Sequence, residues 1–342
     1  PPGRRMALAA LARLAALAGG ARLMPGWPAT VLAQGVPQAA PRPAGTVLVL
    51  LGTQGGPTVT LTRGEAASAV VVDGQPYLVD CGYGTLRALV QAGLRHTDVA
   101  HVFLTHLHND HTADVAALLS HQWTGSRTEP TTVHGPAGTT ALVDGAVAFF
   151  RGDAEIRTVD EGRAASPARL YTGRDVPASA APVEVYRDAR VTVRAVENTH
   201  FADAARARFP HRSLSYRFDT AQRSIVFSGD TAPSANLVAL ARDADVLVCE
   251  AMDVSQHQRM LALAAQAGPG ASVARHVAET HSTTEDVGRM AAEARVKTVV
   301  LTHLSPGANV GPAGPPLDTA YIDAVRTHFT GTVILGHDQM RL

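Results

Sequence analysis

Lysine is nearly missing from this chain of 342 residues, in which Lys297 is the single example. The 30 basic residues are therefore almost all arginines, and 30 acidic residues balance them. A net charge of zero leaves no extended field of one sign that could hold a long polyanion. The composition thus argues against nucleic acid as a partner.

Cysteine is also scarce, with Cys81 and Cys249 in the separate apolar runs VDCG and VLVCE. Without CxxC spacing, two buried thiols are a better interpretation than a disulfide or a pair of thiolate ligands. A metal site in this protein would therefore have to use imidazole and carboxylate groups.

The first 45 residues contain no apolar run long enough for a permanent membrane span. Arg4 and Arg5 precede an alanine- and leucine-rich stretch, which Arg13 and Arg22 interrupt, so it is too short and too charged to be an anchor. A small-residue cleavage pattern and a Pro/Ala-rich linker follow, and we interpret residues 1–45 as an export signal with its linker. The twin arginine predicts a periplasmic or secreted protein; without a functional signal the protein would be cytoplasmic.

From residue 46 onward, short β-rich runs alternate with helical patterns. Strands are predicted at 46–51, 69–72, 77–80, 99–104, 191–197, 213–218, 224–227, 246–249, 298–301 and 333–335. Helices are predicted at 85–92, 112–120, 138–149, 235–241, 284–294 and 318–328. This distribution predicts an α/β (α+β) domain over 46–342, with two sheets packed face to face and helices outside. The polar, weakly patterned residues 151–182 are interpreted as an insertion or lid.

The stretch LTHLHNDH carries His106, His108, Asp110 and His111 directly after a predicted buried strand. His106 and His108 are two residues apart, so both imidazoles face the same side of an extended chain. Asp110 and His111 begin the next helix and turn toward a neighbouring point. This spacing favours two metal ions over one.

Three more candidate ligands, His200, Asp230 and His303, each follow a predicted strand, where a rigid backbone presents side chains to a crevice. His211 remains an alternative to His200 because it lies nearer the next strand, and His134 is also left open. Seven other histidines are expected to be solvated or structural: His96, His101, His121, His257, His276, His328 and His337.

The combination of LTHLHNDH, SGDT and VVLTHLS resembles the metallo-β-lactamase superfamily, and the order of motifs is most similar to its ribonuclease Z-like branch. The stretches LGTQGGP, YLVDCG, HGPAGT and ETHSTTED support the resemblance, which covers the chain from residue 46. It implies a four-layer αββα sandwich with two zinc ions at one edge. The implied ligands are His106, His108 and His200 for the first metal, Asp110, His111 and His303 for the second, and Asp230 as the bridge.

The resemblance also implies groups around the ligands. His281 would be a proton donor oriented by Glu250, although Cys249 stands where the branch usually has a histidine. Together with His281 and Glu250, Asp110 is predicted to have a catalytic role. Asp80 would accept a hydrogen bond from a metal-ligating imidazole. Such a donor set suits Zn(II), and Mn(II) or Fe(II) are compatible with it.

Two ions about 3.5–4 Å apart lower the pKa of a shared water toward ~7 and so provide a bridging hydroxide. We therefore expect a dinuclear hydrolase that cleaves a phosphodiester, aryl sulfate, carboxylic ester or lactone in a small or medium-sized organic molecule. The alternative is a ribonuclease Z-type phosphodiesterase acting on RNA. It is disfavoured because residues 151–182 have neither lysine nor a basic cluster, and because an exported protein would meet no precursor tRNA.

An alternative of another class is a non-catalytic metal-binding protein on the same fold. Relatives of this kind are often homodimers, so a homodimer is compatible with the resemblance.

Overall fold

The computed structural model describes residues 44–163, 166–266, 268, 270–306 and 317–342. The export signal predicted for residues 1–45 therefore lies, except for its last two positions, outside the described residues. Among the helices of the described ranges, none is long and apolar enough to cross a membrane.

The first sheet contains six strands in chain order. The first three strands are antiparallel and β3 to β6 are parallel. Asp73 and Gly74 form the predicted turn between β2 and β3, and both have positive φ, as a two-residue hairpin turn with right-handed strand twist requires. The strands are β1 (Thr46–Gly52), β2 (Ala67–Val72), β3 (Gln75–Val79), β4 (His101–Phe103), β5 (Thr131–Gly135) and β6 (Tyr171–Asp175).

The second sheet contains seven strands in reverse order, from β13 at one edge to β7 at the other. Strands β7 to β10 are antiparallel, and β10 to β13 are parallel. Its strands are β7 (Val183–Arg187), β8 (Val191–Glu197), β9 (Leu214–Thr220), β10 (Ser224–Phe227), β11 (Val246–Met252), β12 (Thr298–Ser305) and β13 (Thr332–Leu335).

The described residues form twelve α-helices, some of which cover the outer faces of the two sheets. They are α1 (Thr85–Gln91), α2 (Asn109–Thr112), α3 (Val115–Thr124), α4 (Thr139–Phe149), α5 (Arg151–Asp160), α6 (Pro167–Leu170), α7 (Asp203–Arg208), α8 (Ala235–Ala241), α9 (Val254–Ala264), α10 (Ala271–Thr280), α11 (Thr284–Ala294) and α12 (Leu317–Arg326). A short 3₁₀ helix spans His96–Asp98.

Three apolar clusters define the layers. The central cluster joins the facing sides of the two sheets, with Tyr77 and Phe103 packed against Tyr216 and Phe218. One outer cluster holds α1, α3 and α4 against the first sheet, and the other holds α8, α11 and α12 against the second. Because each sheet buries both faces, its strands consist mostly of continuous apolar residues. The predicted four-layer αββα sandwich is therefore confirmed.

The interpretation of residues 151–182 as an insertion or lid is wrong for its second half. This region forms α5, α6 and then β6, which pairs with β5 at the edge of the first sheet. The β6 sequence YTGRD contains glycine and two charges, and three of its residues are exposed. An edge strand of this kind lacks the apolar pattern that identifies a buried strand.

The parallel strands of both sheets end at one common edge. Asp80 follows β3, His106 lies three residues after β4, and Asp230 lies three residues after β10. Glu250 lies in β11 and His303 in the neighbouring β12. Carboxyl ends of parallel strands commonly border a ligand crevice, and this arrangement determines where the candidate site lies.

Candidate active site

Three imidazoles form the first candidate metal group, His106, His108 and His200. The distance from His106 Nε2 to His108 Nδ1 is 3.0 Å, and that from His108 Nδ1 to His200 Nε2 is 3.2 Å. Nitrogen ligands arranged tetrahedrally around zinc at 2.0–2.1 Å lie roughly 3.3 Å from one another. The spacing of these nitrogens therefore fits one zinc ion.

Hydrogen bonds behind two of these rings determine which nitrogen carries the proton. The Thr105 hydroxyl donates to Asp80, so its oxygen accepts from His106 Nδ1 at 3.1 Å. His200 Nδ1 donates to the carbonyl of Thr280 at 3.1 Å. Both Nε2 atoms are therefore lone-pair donors that point at the same place. Burial lowers the pKa of His106 and lowers that of His200 to about 3, so both rings stay neutral, as metal ligation requires.

The second candidate group consists of Asp110, His111, Asp230 and His303, all buried. His303 Nε2 lies 3.2 Å from Asp110 Oδ2 and 3.3 Å from Asp230 Oδ2, and His111 Nε2 lies 3.3 Å from Asp230 Oδ1. The expected hydrogen bond to Asp80 is present, since His111 Nδ1 donates to Asp80 Oδ2 at 2.9 Å. That bond leaves His111 Nε2 as a lone-pair donor facing the carboxylates.

Asp230 lies between the two groups. Its Oδ1 faces His111, while its Oδ2 lies 3.8 Å from His106 Nε2 and 3.9 Å from His200 Nε2. Oδ2 also lies 3.3 Å from His303 Nε2, so this carboxylate is near donors of both groups, as a bridging ligand would be. The structure thus brings together all seven residues that were predicted as ligands.

The backbone aims His303 into the site through an irregularity in β12. The register of β12 against β11 shifts between Glu250 and Ala251, so that His303 has no direct partner on β11. His303 also has a φ of 44°, in the left-handed region that non-glycine residues avoid. A bulge of this kind redirects a side chain next to a functional site, and the strain is held by the surrounding sheet.

Charge and unpaired atoms at the second group fit a cation. Burial lowers the pKa of His111, but the carboxylates of Asp230, Asp80 and Asp110 outweigh burial and raise it, so the group favours added positive charge. Burial raises the pKa of Asp110, yet His111 and His303 lower it overall to about 2. His111 Nε2 and Asp230 Oδ1 are buried without a hydrogen-bond partner. Buried polar atoms are normally paired, and a divalent ion would pair both.

His281 lies beside both groups with its acidic partner Glu250. Its ring centroid is 4.9 Å from that of His200 and 5.9 Å from that of His303. His281 Nδ1 donates to Glu250 Oε2 at 2.7 Å, and Glu250 Oε1 accepts from the backbone N–H of Thr231. Burial lowers the pKa of His281, but Glu250 outweighs it and raises the pKa to about 9. The imidazolium is therefore present at neutral pH, in position to release a proton.

The structure places two other histidines, His211 and His276, at different distances from the candidate site. His211, the alternative to His200, lies outside both groups, and its Nδ1 donates to the carbonyl of Ala137 at 2.8 Å. His276, expected to be solvated or structural, faces the site from α10, with its ring centroid 5.4 Å from that of His200. Its position depends on how α10 packs beside His281, so the local sequence pattern carried no signal for it.

A basic segment, residues 201–212, begins beside the first candidate metal group. It contains Arg206, Arg208 and Arg212 but only one acidic residue. At one end, the ring of Phe201 lies 5.1 Å from that of His200 and 5.4 Å from that of His108. The whole-chain charge conceals this local excess of positive charge.

Comparisons with known proteins agree with this geometry. A family model described as a beta-lactamase superfamily domain matches residues 76–304. A ribonuclease Z from Mycobacterium sp. (strain KMS) is 30% identical over 305 residues, covering 86% of this chain and 95% of the relative. The structure of the metallo-beta-lactamase fold protein YhfI from Bacillus subtilis matches with a TM-score of 0.60 and 18% identity, over 87% of this chain and 98% of that one. Human tRNase Z, short form, matches with a TM-score of 0.59 and 21% identity, over 86% and 98% of the two chains.

The chain is a hydrolase of the metallo-β-lactamase fold. Within that superfamily it belongs to the ribonuclease Z-like branch. The fold indicates divalent-metal binding, and the His and Asp groups described above are the candidates to hold such ions.

One expectation drawn from the sequence is wrong. Relatives named as ribonucleases contradict the expectation that a small-molecule ester is the substrate and that nucleic acid is an unlikely partner. The error has a physical cause, because net charge sums over the whole chain, whereas a polyanion contacts only the surface near the site. The arginines of the basic segment next to His200 are the relevant local charges.

Proposed function

We propose that this protein is a zinc-dependent phosphodiesterase that cleaves RNA. The observation that carries the proposal is the convergence of seven donors on two adjacent points, with the His281–Glu250 pair beside them. The 30% identity to a ribonuclease Z over nearly the whole relative supports RNA as the substrate.

The donor chemistry supports two zinc ions. His106, His108 and His200 would hold one ion, Asp110, His111 and His303 the other, and Asp230 would bridge them. Imidazole and carboxylate ligands without thiolate suit Zn(II). When bound, two such ions activate water and neutralise the charge that develops on a phosphate group.

The side chains of the protein supply the remaining steps. Asp110, whose pKa is about 2, stays ionised and orients the attacking water as a hydrogen-bond acceptor. The attacking water releases one proton to the solvent. As its oxygen bonds to phosphorus, the bond to the leaving oxygen breaks, and that oxygen takes the electron pair. His281 then donates a proton to the leaving oxygen, while Glu250 holds the imidazolium in orientation through Nδ1.

The His281–Glu250 pair also favours an enzyme over a non-catalytic metal-binding protein. A protein that only binds metal needs donors, but it has no need of a protonated imidazole directed at the site. Glu250 is buried and is committed to His281 and to the Thr231 N–H. Maintaining such a buried charged pair has an energetic cost, which proton donation to a substrate would explain.

The basic segment supports a polyanionic substrate. Arg206 and Arg212 both contact Glu197, at 2.9 and 3.3 Å, so one carboxylate is shared by two guanidinium groups. Arg208 is exposed and lies over the ring of Phe209. Arginine and aromatic side chains beside a cleft are the groups that bind the phosphates and bases of single-stranded RNA.

The test uses zinc-loaded protein with four labelled substrates: a single-stranded RNA, a transfer RNA bearing a 3′ extension, the single-stranded DNA counterpart, and a chromogenic phosphodiester. We expect metal-dependent cleavage of RNA that chelation abolishes and that zinc restores. Asp230→Asn should remove this activity, whereas the exposed control Asp243→Asn should retain it. Intact RNA after incubation with protein that carries two zinc equivalents would contradict the proposal.

A further inference from the structure

The imidazole of His276 extends the site beyond the metal groups. His276 lies near the end of α10, with its ring centroid 5.4 Å from that of His200 and 6.1 Å from those of His108 and His281. Both His276 and His281 are partly exposed, so a substrate can reach them. The rings of His200 and His276 therefore lie next to the proton donor, His281.

The hydrogen bonds of α10 determine the proton position on His276. The Thr280 hydroxyl donates its proton to the carbonyl of His276 at 2.7 Å. Its oxygen is thus left to accept from His276 Nδ1, at 3.4 Å. In the neutral ring the Nε2 atom then carries a lone pair, and no residue in the described ranges donates a hydrogen bond to it. A ligand that satisfies this atom must be a hydrogen-bond donor.

A third metal ion at this place fits less well. Nitrogen atoms of His200, His276 and His281 lie within 4.8 Å of one another. However, His200 Nε2 already faces His106 and His108 in the first group, and its Nδ1 donates to the carbonyl of Thr280, so His200 has no nitrogen left for a further ion. The set therefore lacks three independent donors.

We propose that His276 Nε2 accepts a hydrogen bond from the ribose 2′-hydroxyl of the nucleotide whose O3′ is the leaving oxygen. The 2′- and 3′-oxygens are on adjacent carbons, so a ribose whose O3′ takes a proton from His281 presents O2′ to a neighbouring group. Nitrogens of His276 and His281 within 4.8 Å of each other can contact such a vicinal pair. The 2′-hydroxyl is the group by which proteins distinguish RNA from DNA.

This assignment rests on the proposed function, since it specifies how the same site selects RNA. It requires cleavage between phosphorus and O3′, which leaves 3′-hydroxyl and 5′-phosphate ends. A site that has a hydrogen-bond acceptor for a substrate hydroxyl discriminates against the analogue that lacks the hydroxyl. His276 is therefore a specificity residue, distinct from the metal donors and the proton donor.

The test is a double-mutant cycle between the protein and the substrate. One RNA is compared with the same RNA that has a single 2′-deoxy nucleotide on the O3′ side of the mapped cleavage position. For the wild-type protein, kcat/KM should fall about three- to tenfold on the deoxy substrate, as expected for one hydrogen bond. His276→Leu should lose a similar factor on RNA and show no further loss on the deoxy substrate. His276→Gln should keep part of the preference, because its amide oxygen can accept a hydrogen bond.

The matched control is His257→Leu, because His257 Nε2 donates to the carbonyl of Ala278 and so touches α10 from α9. This variant should discriminate like the wild type, and unchanged zinc content and circular dichroism would exclude misfolding of each variant. The inference would be overturned if His276→Leu distinguished RNA from the deoxy substrate as strongly as the wild type does, or if the cleavage products carried 3′-phosphate ends. In either case, RNA cleavage by the wild type would leave the proposed function intact. Absence of RNA cleavage by the wild type would instead overturn the proposed function.

Discussion

Replacing Glu250 with glutamine should move the pH dependence of activity without removing a metal donor. Glu250 Oε2 accepts from His281 Nδ1 at 2.7 Å, and its charge is the main cause that raises the pKa of His281. Glutamine retains the size and polarity of the side chain but removes that charge. The proton donor should then lose its proton at a lower pH, so that the alkaline limb of the activity profile shifts downward.

The size of the shift follows from the pKa of His281. The value is about 9, against 6.5 for an ordinary histidine. In Glu250→Gln burial still lowers the pKa of His281 while the carboxylates of Asp230 and Asp110 raise it, and with these effects taken to offset one another the pKa returns to the ordinary 6.5. At pH 8, roughly nine in ten imidazole rings are protonated when the pKa is 9, but only about one in thirty when it is 6.5. Activity at pH 8 should therefore fall about 30-fold, equivalent to roughly 2 kcal/mol, while activity at pH 6 should change little. Bound metal ions lower the pKa of His281 in both the wild type and Glu250→Gln. The prediction therefore concerns the shift between the two pH–activity profiles, not the absolute pKa in either protein.

The assay is kcat against pH from 6 to 9 for zinc-loaded wild type and Glu250→Gln on the same labelled RNA. The matched control is Glu285→Gln, which changes a half-buried glutamate that is paired with Arg289 away from the site. Its profile should overlay that of the wild type. Equal rate losses at pH 6 and pH 8 would refute the reasoning, because they would show that Glu250 acts through something other than the proton on His281.

Three further outcomes follow from the geometry. Asp230→Ala and His108→Ala should each lower zinc content, measured by elemental analysis, and abolish activity with unchanged circular dichroism; full zinc content in both variants would contradict the donor assignment. Asp80→Ala should weaken zinc binding about ten- to hundredfold, because His111 loses the partner of its Nδ1, and a chelator titration that gives the wild-type affinity would exclude that role. Chelation should lower the melting temperature because Asp110 and Asp230 are buried close together, and zinc at 100 times its Kd should restore about 2.7 kcal/mol; equal melting temperatures with and without zinc would argue against binding at this site.

The parts of the fold that could be predicted from sequence are those with a strong apolar period. The predicted bounds of β8, β10, α8 and α11 coincide with the observed ones, since each combines a regular pattern with clear boundaries. Thr283, for example, begins α11 with a capping box to Asp286, which is a local signal. The edge strands β6 and β7 were missed because neither has a continuous buried face.

The metal donors could be predicted because each lies at or near a strand end, which sequence patterns locate well. His276 could not be predicted from the sequence, because its role depends on how α10 packs beside His281. That packing is not encoded in local sequence spacing. The substrate class was misjudged for a related reason. Charge summed over the chain does not report that three arginines lie in the segment directly after His200.

The most direct test of the account is a crystal structure of the zinc-loaded protein with diffraction data collected at the zinc absorption edge. We expect two anomalous peaks about 3.5–4 Å apart, one among His106, His108 and His200 and the other among Asp110, His111 and His303, with Asp230 between them. A single peak, or peaks bound by other residues, would contradict the claim that these seven side chains hold a pair of catalytic cations.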